Sequence, residues 1–292
     1  MCIRDSLYPL LLDALDAGKI SVGPPYFGLL FAIFLVPLVA LLPLGFQVRW
    51  QKDDLGRVLR EFWLPAAFAL AAAVATAVWL PSAGAWGIAG AAGAFWIMVA
   101  TLQHYLRRMR AVKRRLLPRS ETGMTLAHFG VGLFLLGASL TNAVSTEKHL
   151  RMDPGDSFDV AGYSFQFEGT RHVEGPNFAA DEGTFIVYKA GERVATMHPQ
   201  KRHYRSGQSM TEAALDPGLT RDLYISLGEP LDAQGTAWAV RLYHKPFIRF
   251  IWLGALMMMA GGFVAASDPR YRRRKVTAEE RAADPALAES PA

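Results

Sequence analysis

A single cysteine, Cys2, stands among the 292 residues of the chain, and that scarcity removes whole classes of chemistry. A disulfide framework, a CxxC redox pair and a thiolate metal site all need at least two sulfurs. A GxSxG nucleophile elbow, a phosphate-cradling glycine loop, an HExxH or HxxEH zinc helix and a defensible pair of carboxylates for acid–base work are also missing. No internal repeat is visible. The opening MCIRDS lacks the apolar core of a signal peptide, and the text after it, LYPLLLDALDAGKISVGPPYF, reads like the middle of a longer protein.

Apolar residues, in contrast, make up 51% of the chain, beside 31 Lys and Arg and 26 Asp and Glu. Grease and charge in those amounts must be segregated. Five windows are long and apolar enough to cross a hydrocarbon layer about 30 Å thick: residues 26–46, 62–80, 85–105, 124–144 and 247–266. The predicted fold class is therefore a polytopic α-helical membrane protein. Spans two and three are rich in Ala and Gly, which lets helices approach closely in lipid.

The formal net charge of +5 does not point to nucleic acid, because the cations crowd beside the spans. Arg49, Lys52, Arg57 and Arg60 lie between spans one and two. Arg107, Arg108, Arg110, Lys113, Arg114, Arg115 and Arg119 lie between spans three and four, and Arg270, Arg272, Arg273, Arg274 and Lys275 follow span five. The turn at 81–84 has no charge. The positive-inside rule then puts the first residues outside, the tail inside and segment 145–246 outside the cytoplasm.

That segment changes period. SFDVAGYSFQFEG, GTFIVYKAGERVATMH, RDLYISLGEP and TAWAVRLYHKP alternate apolar with polar residues and are separated by turn material such as DPGD and KAGER. They predict an antiparallel β domain of about six or seven strands, a barrel or a sandwich, inserted between the last two helices. Phe165 and Phe167 should share one face, as should Trp238, Val240 and Leu242. The predicted organisation is an N-terminal segment (1–25), a four-helix region (26–144), the β domain (145–246), a last helix (247–266) and a basic tail of disordered composition (267–292).

One ionisable side chain sits inside the fourth span. His128, in MTLAHFGVGLFLLGAS, is costly in hydrocarbon and reads either as a functional group or as an interhelical hydrogen bond. A neutral imidazole nitrogen is also a common ligand to haem iron. Gly130, Gly132 and Gly137 thin the helix beside it, leaving room for a flat macrocycle or for another helix. His104, near the end of span three, could pair with His128 or reach the interface. Met257, Met258 and Met259 point different ways around a helix and read as packing. The run HPQKRHYR (198–205) reads as an exposed basic stretch that could face acidic groups.

Taken together, KISVGPPYF, LAHFGVGLFLLGAS, HLRMDPGDSFDVAGYSFQFEG, GPNFAADEGTF, MTEAALDPGLTRDLYISLGEP and WAVRLYHKPFIRFIWLGALMM resemble, over about residues 7–274, the C-terminal half of the CcmF family. CcmF is the membrane subunit of the haem lyase in bacterial cytochrome c biogenesis. The resemblance implies a multi-pass inner-membrane protein with its β domain in the periplasm and its C-terminus in the cytoplasm. It implies transfer and attachment of haem to apocytochrome c, with a CcmE-like haem chaperone, CcmH-like and CcmI-like apocytochrome-handling subunits and the lipid bilayer as partners, and no nucleic acid. It also implies a membrane haem b, with His128 as one axial ligand to the haem iron. The Trp-rich haem-handling segment, the other transmembrane histidine and the outer-face histidines of the family have no match here. The second axial ligand is accordingly expected in an N-terminal half, and a fragment of this kind is not expected to be active alone. The competing reading is a non-catalytic, membrane-anchored scaffold or sensor that binds a partner through its β domain.

Overall fold

In the computed structural model, Leu15 and residues 24–49, 52–112, 117–232 and 234–272 are described. The predicted features at the N-terminal segment before residue 24 and in the tail after residue 272 lie outside them, Leu15 apart.

Among the described residues five helices are long and apolar enough to cross a membrane: α1 (Pro24–Gln47), α2 (Leu55–Trp79), α3 (Gly84–Val112), α4 (Arg119–Val144) and α5 (Ile248–Ala266). They overrun the predicted windows where charged residues continue the helix into water, as at Arg57 and Glu61 on α2. The N-cap Asp54 accepts the Arg57 backbone N–H at 2.9 Å and starts α2 seven residues before its predicted window. Pro37 and Pro43 lie within α1 and Pro65 within α2, tolerable because neighbouring segments re-satisfy the freed backbone groups. A single 3₁₀ turn, Pro81–Ala83, joins α2 to α3.

α4 is the hub of the helical part. On one side Gly123, Gly130 and Gly137 recur every seventh residue and face α5. A Cβ on Gly130 would lie 2.7 Å from the Gly254 carbonyl oxygen, and one on Gly261 would lie 2.6 Å from the Gly123 oxygen. The two backbones therefore touch, and dispersion between them takes the place of a hydrophobic force that lipid cannot supply. On another side Gly132 abuts Met98 and the Ala94 carbonyl of α3, while Ser139 fills the space at Gly90.

Between α4 and α5 the chain forms ten strands, more than the predicted six or seven. All pairings are antiparallel, in two sheets. The first has the order β1 (Thr146–Met152), β10 (Trp238–Pro246), β9 (Arg221–Pro230), β8 (Ala214–Pro217). The second runs β2 (Ser157–Val160), β3 (Tyr163–Glu174), β4 (Phe178–Lys189), β6 (Gln200–Tyr204), β7 (Ser209–Glu212), with β5 (Glu192–Met197) also pairing β4. Gly169, at φ +126°, occupies the register shift between β3 and β4, a backbone that L side chains rarely adopt. The inner faces close on Phe165, Phe167, Phe185, Leu223, Ile225, Leu227, Trp238, Val240 and Leu242, all buried. The predicted face-sharing sets thus supply the core. Phe167 and Phe185 stack with centroids 4.8 Å apart.

Candidate functional site

His128 projects from α4 toward the junction of α1, α3 and α4. Its Nδ1 lies 2.8 Å from the Met124 carbonyl oxygen, one turn back along its own helix. A carbonyl can only accept, so Nδ1 carries the proton, and the Nε2 lone pair is left pointing away from the helix. Among the described residues Nε2 has no hydrogen-bond partner. This is the arrangement a metal-bound imidazole ordinarily needs: the far nitrogen donates to a carbonyl, fixing tautomer and ring plane, and the near one is free to ligate.

The ring of Phe46, on α1, contacts both membrane histidines. It meets His128 edge-on at 5.5 Å and His104 edge-on at 5.3 Å. His104 and His128 are thus brought to one place without forming a pair. The glycines beside His128 are occupied by α3 and α5, so of the two predicted uses of that thinned surface, the helix takes it and a macrocycle does not. The residues present fit one axial bond from His128 to a haem; they do not supply the second. Met257 and Met258 pack against Gly130 as expected, whereas Met259 is exposed on the outer face of α5.

A polar collar surrounds the end of the bundle nearest these rings. Arg57 binds both Asp53 and Glu61, and Arg107 of α3 also reaches Glu61. The Arg57 bond holds the Asp53 carboxyl far below the ordinary carboxylate range. The Gln47 amide donates to the Ala100 carbonyl at 3.0 Å, and the Gln103 amide donates to the Glu61 carbonyl at 2.9 Å. These bonds cross between α1, α2 and α3 and set the depth of Phe46. Sequence reading missed Phe46, Gln47 and Gln103. A glutamine near a helix end is the available signal, but its partner lies on another helix.

The basic run of the β domain is exposed at His198, His203 and Arg205, as expected, while its middle is drawn into contacts. Lys201 is buried and paired with Glu229, Arg202 lies over the Phe178 ring at 4.6 Å, and His203 Nδ1 lies 2.8 Å from the Ser209 hydroxyl. Among the described residues no group of three or more His, Cys, Asp or Glu could hold a metal ion.

Residues 143–246, the two-sheet segment with its helix junction, match the family described as the CcmF C-terminal beta-sandwich. The chain is also 42% identical over 278 residues to the cytochrome c-type biogenesis protein CcmF of Pseudomonas aeruginosa, across 93% of this chain and 42% of that relative. The chain matches the C-terminal part of the CcmF family. With CcmF of Escherichia coli the identity is 39% over 273 residues, across 92% of this chain and 41% of the relative. A solved structure called cytochrome c heme lyase CcmF shares the fold with a TM-score of 0.72 at 17% identity, over 91% of this chain and 42% of that one. The chain thus spans less than half the length of the CcmF relatives it matches. The likeness to the solved CcmF extends over helices and sandwich alike.

Proposed function

We propose that this chain is the C-terminal part of a CcmF-type haem lyase subunit, and that His128 is an axial ligand to a haem b held within the membrane. The observation that carries this reading is the state of the imidazole: Nδ1 is tied to the Met124 carbonyl at 2.8 Å and Nε2 is free. A histidine kept only to bridge two helices would spend its outer nitrogen on a neighbouring helix.

Bound haem supplies the iron and the porphyrin. The residues of this chain position one ligand for it. Met124 keeps the His128 proton on Nδ1, Phe46 restricts the ring from its edge, and the α3 and α5 backbones clamp α4 so that the imidazole cannot move out of place. The second axial ligand belongs to a part of the full-length protein that this chain does not span. Relatives named for cytochrome c biogenesis support a role in delivering haem to apocytochrome c. In this reading the sandwich stands in the periplasm with the C-terminus in the cytoplasm. A CcmE-like haem chaperone and CcmH-like and CcmI-like subunits meet the protein on the periplasmic side.

The test is a visible spectrum of a full-length protein carrying this segment, purified in mild detergent. His128→Ala should abolish the haem b absorption, while His104→Ala and Met258→Ala should keep it. An undiminished spectrum in His128→Ala would remove the ligand role and favour the partner-binding scaffold.

A further inference from the structure

Where the sandwich meets the membrane, four strand ends and a helix start bring cations together around one phenol. The location is fixed by three bonds. The Thr141 hydroxyl, in the last turn of α4, donates to the Pro246 carbonyl at 2.8 Å, and the Phe247 N–H donates to the Thr220 carbonyl at 2.8 Å. Arg249, in the first turn of α5, donates to Asp222 at 3.0 Å. Phe247 turns this corner at φ +62°, a left-handed conformation unusual for a bulky residue. Arg221 and Asp222 therefore lie at the level where α4 and α5 leave the hydrocarbon.

Tyr163, buried at the start of β3, accepts hydrogen bonds from Lys189 Nζ at 3.2 Å and Arg221 Nε at 3.1 Å. Both cations also lie against its ring, 4.9 and 5.0 Å from the centroid. The His244 ring sits 5.7 Å from that of Tyr163, and its buried Nδ1 has no partner. Arg221 is neutralised by Asp216 at 2.6 Å and Arg249 by Asp222, but Lys189, which is exposed, has no carboxylate at ion-pair distance among the described residues. Burial raises the Tyr163 phenol, yet the bonds from Arg221 and Lys189 outweigh it and hold the group below its ordinary value. Burial, then Arg221 and Lys189, push His244 down. The Tyr163 shift reports a local field that is positive.

We propose that Lys189 and Arg221, gathered around Tyr163, form a binding site for the phosphate of an anionic phospholipid in the leaflet beside the sandwich. Lys189, Arg221 and Arg249 against Asp216 and Asp222 leave one positive charge, which a single phosphodiester neutralises. The free donors of Lys189 and Arg221 supply hydrogen bonds to its oxygens. Free phosphate has the same chemistry. The membrane source is favoured because the cluster stands at headgroup level, where a juxtamembrane cation contributes to the retention of an anionic lipid. The aromatic rings of Phe247, Phe250 and Trp252 at the start of α5 suit the same interface.

The full chain in nanodiscs of phosphatidylcholine containing phosphatidylglycerol, extracted into mild detergent and examined by native mass spectrometry, should retain one phosphatidylglycerol. Lys189→Gln should lower that retention about fivefold, the effect of one interfacial cation. Lys189→Arg should restore it, and Arg151→Gln, which removes an equal charge elsewhere on the sandwich, should leave it unchanged. Equal retention in the wild type and Lys189→Gln, or equal retention of phosphatidylcholine, overturns the proposal. Displacement of the lipid by inorganic phosphate would make this a free-anion site and overturn the lipid assignment. The haem b spectrum of the full-length protein should be the same in Lys189→Gln, so this test and the His128 test fail independently.

Discussion

Asp268 shows how much a single carboxylate can connect. Helix α4 begins after Pro118 with no side-chain cap of its own, and Asp268, beyond the end of α5, accepts the Ser120 N–H at 2.8 Å in its place. The backbone N–H of Arg270 and the contacts to Ser120 hold this carboxyl down at about 2, from an ordinary 3.8. A depressed carboxylate contributes stability above its unfolded value that disappears as pH falls through the folded one. Asp268→Asn should therefore lower the melting temperature in detergent at neutral pH. The gap to the wild type should close as pH falls from about 4 toward about 2; a constant gap would mean that the cap is not electrostatic. At this scale His128 was legible, since one imidazole in an apolar run is conspicuous. Phe46 was not: an aromatic in a span looks like any lipid-facing residue until the helices are assembled.

The contact between α4 and α5 is the strongest element-level feature, and adjacent glycines test it. A Cβ at Gly261 meets the Gly123 oxygen and the Ala127 nitrogen at 2.6 and 2.5 Å, whereas a Cβ at Gly262 meets nothing within 4 Å. Gly261→Ala should destabilise the helix pair by about 1–3 kcal/mol, the usual cost of overpacking. Gly262→Ala should be neutral or slightly stabilising through helix propensity. Thermal unfolding of both variants in the same detergent separates the two outcomes. In the sandwich, Phe185→Ala should cost about 3–5 kcal/mol as a buried aromatic truncation, read by denaturant unfolding and tryptophan fluorescence. Among the elements, long apolar windows and clear alternation carry enough residues to be read from sequence. The strands β2, β7 and β8 are four residues each, too short for a period to emerge. The glycine spacing of α4 was visible too, but not what it fits, because Gly254 and Gly261 lie beyond the whole β segment.

On the scale of the molecule, the sandwich and the 81–84 turn share one side of the membrane under the positive-inside arrangement. With Cys2 replaced, cysteines at Ser82 and Ser206 should react with an impermeant maleimide added outside intact cells. A cysteine at Lys52 should react only after the cells are opened; the reverse pattern would invert the orientation. The expectation rests on the alternation of charged and uncharged connections, because insertion responds to short local sequence. The position of the sandwich on the helices was not readable, since it depends on pairings such as Arg249 with Asp222 that join distant parts of the chain.

The sandwich enters and leaves through two helices whose backbones touch, with only Ser145 before its first strand and Phe247 after its last. A body hung from two cables fused together cannot swivel without wringing both. Any subunit that grips the sandwich consequently has a mechanical hold on the helix bearing His128, and a push given outside the membrane is felt by that imidazole as a tilt of its mount.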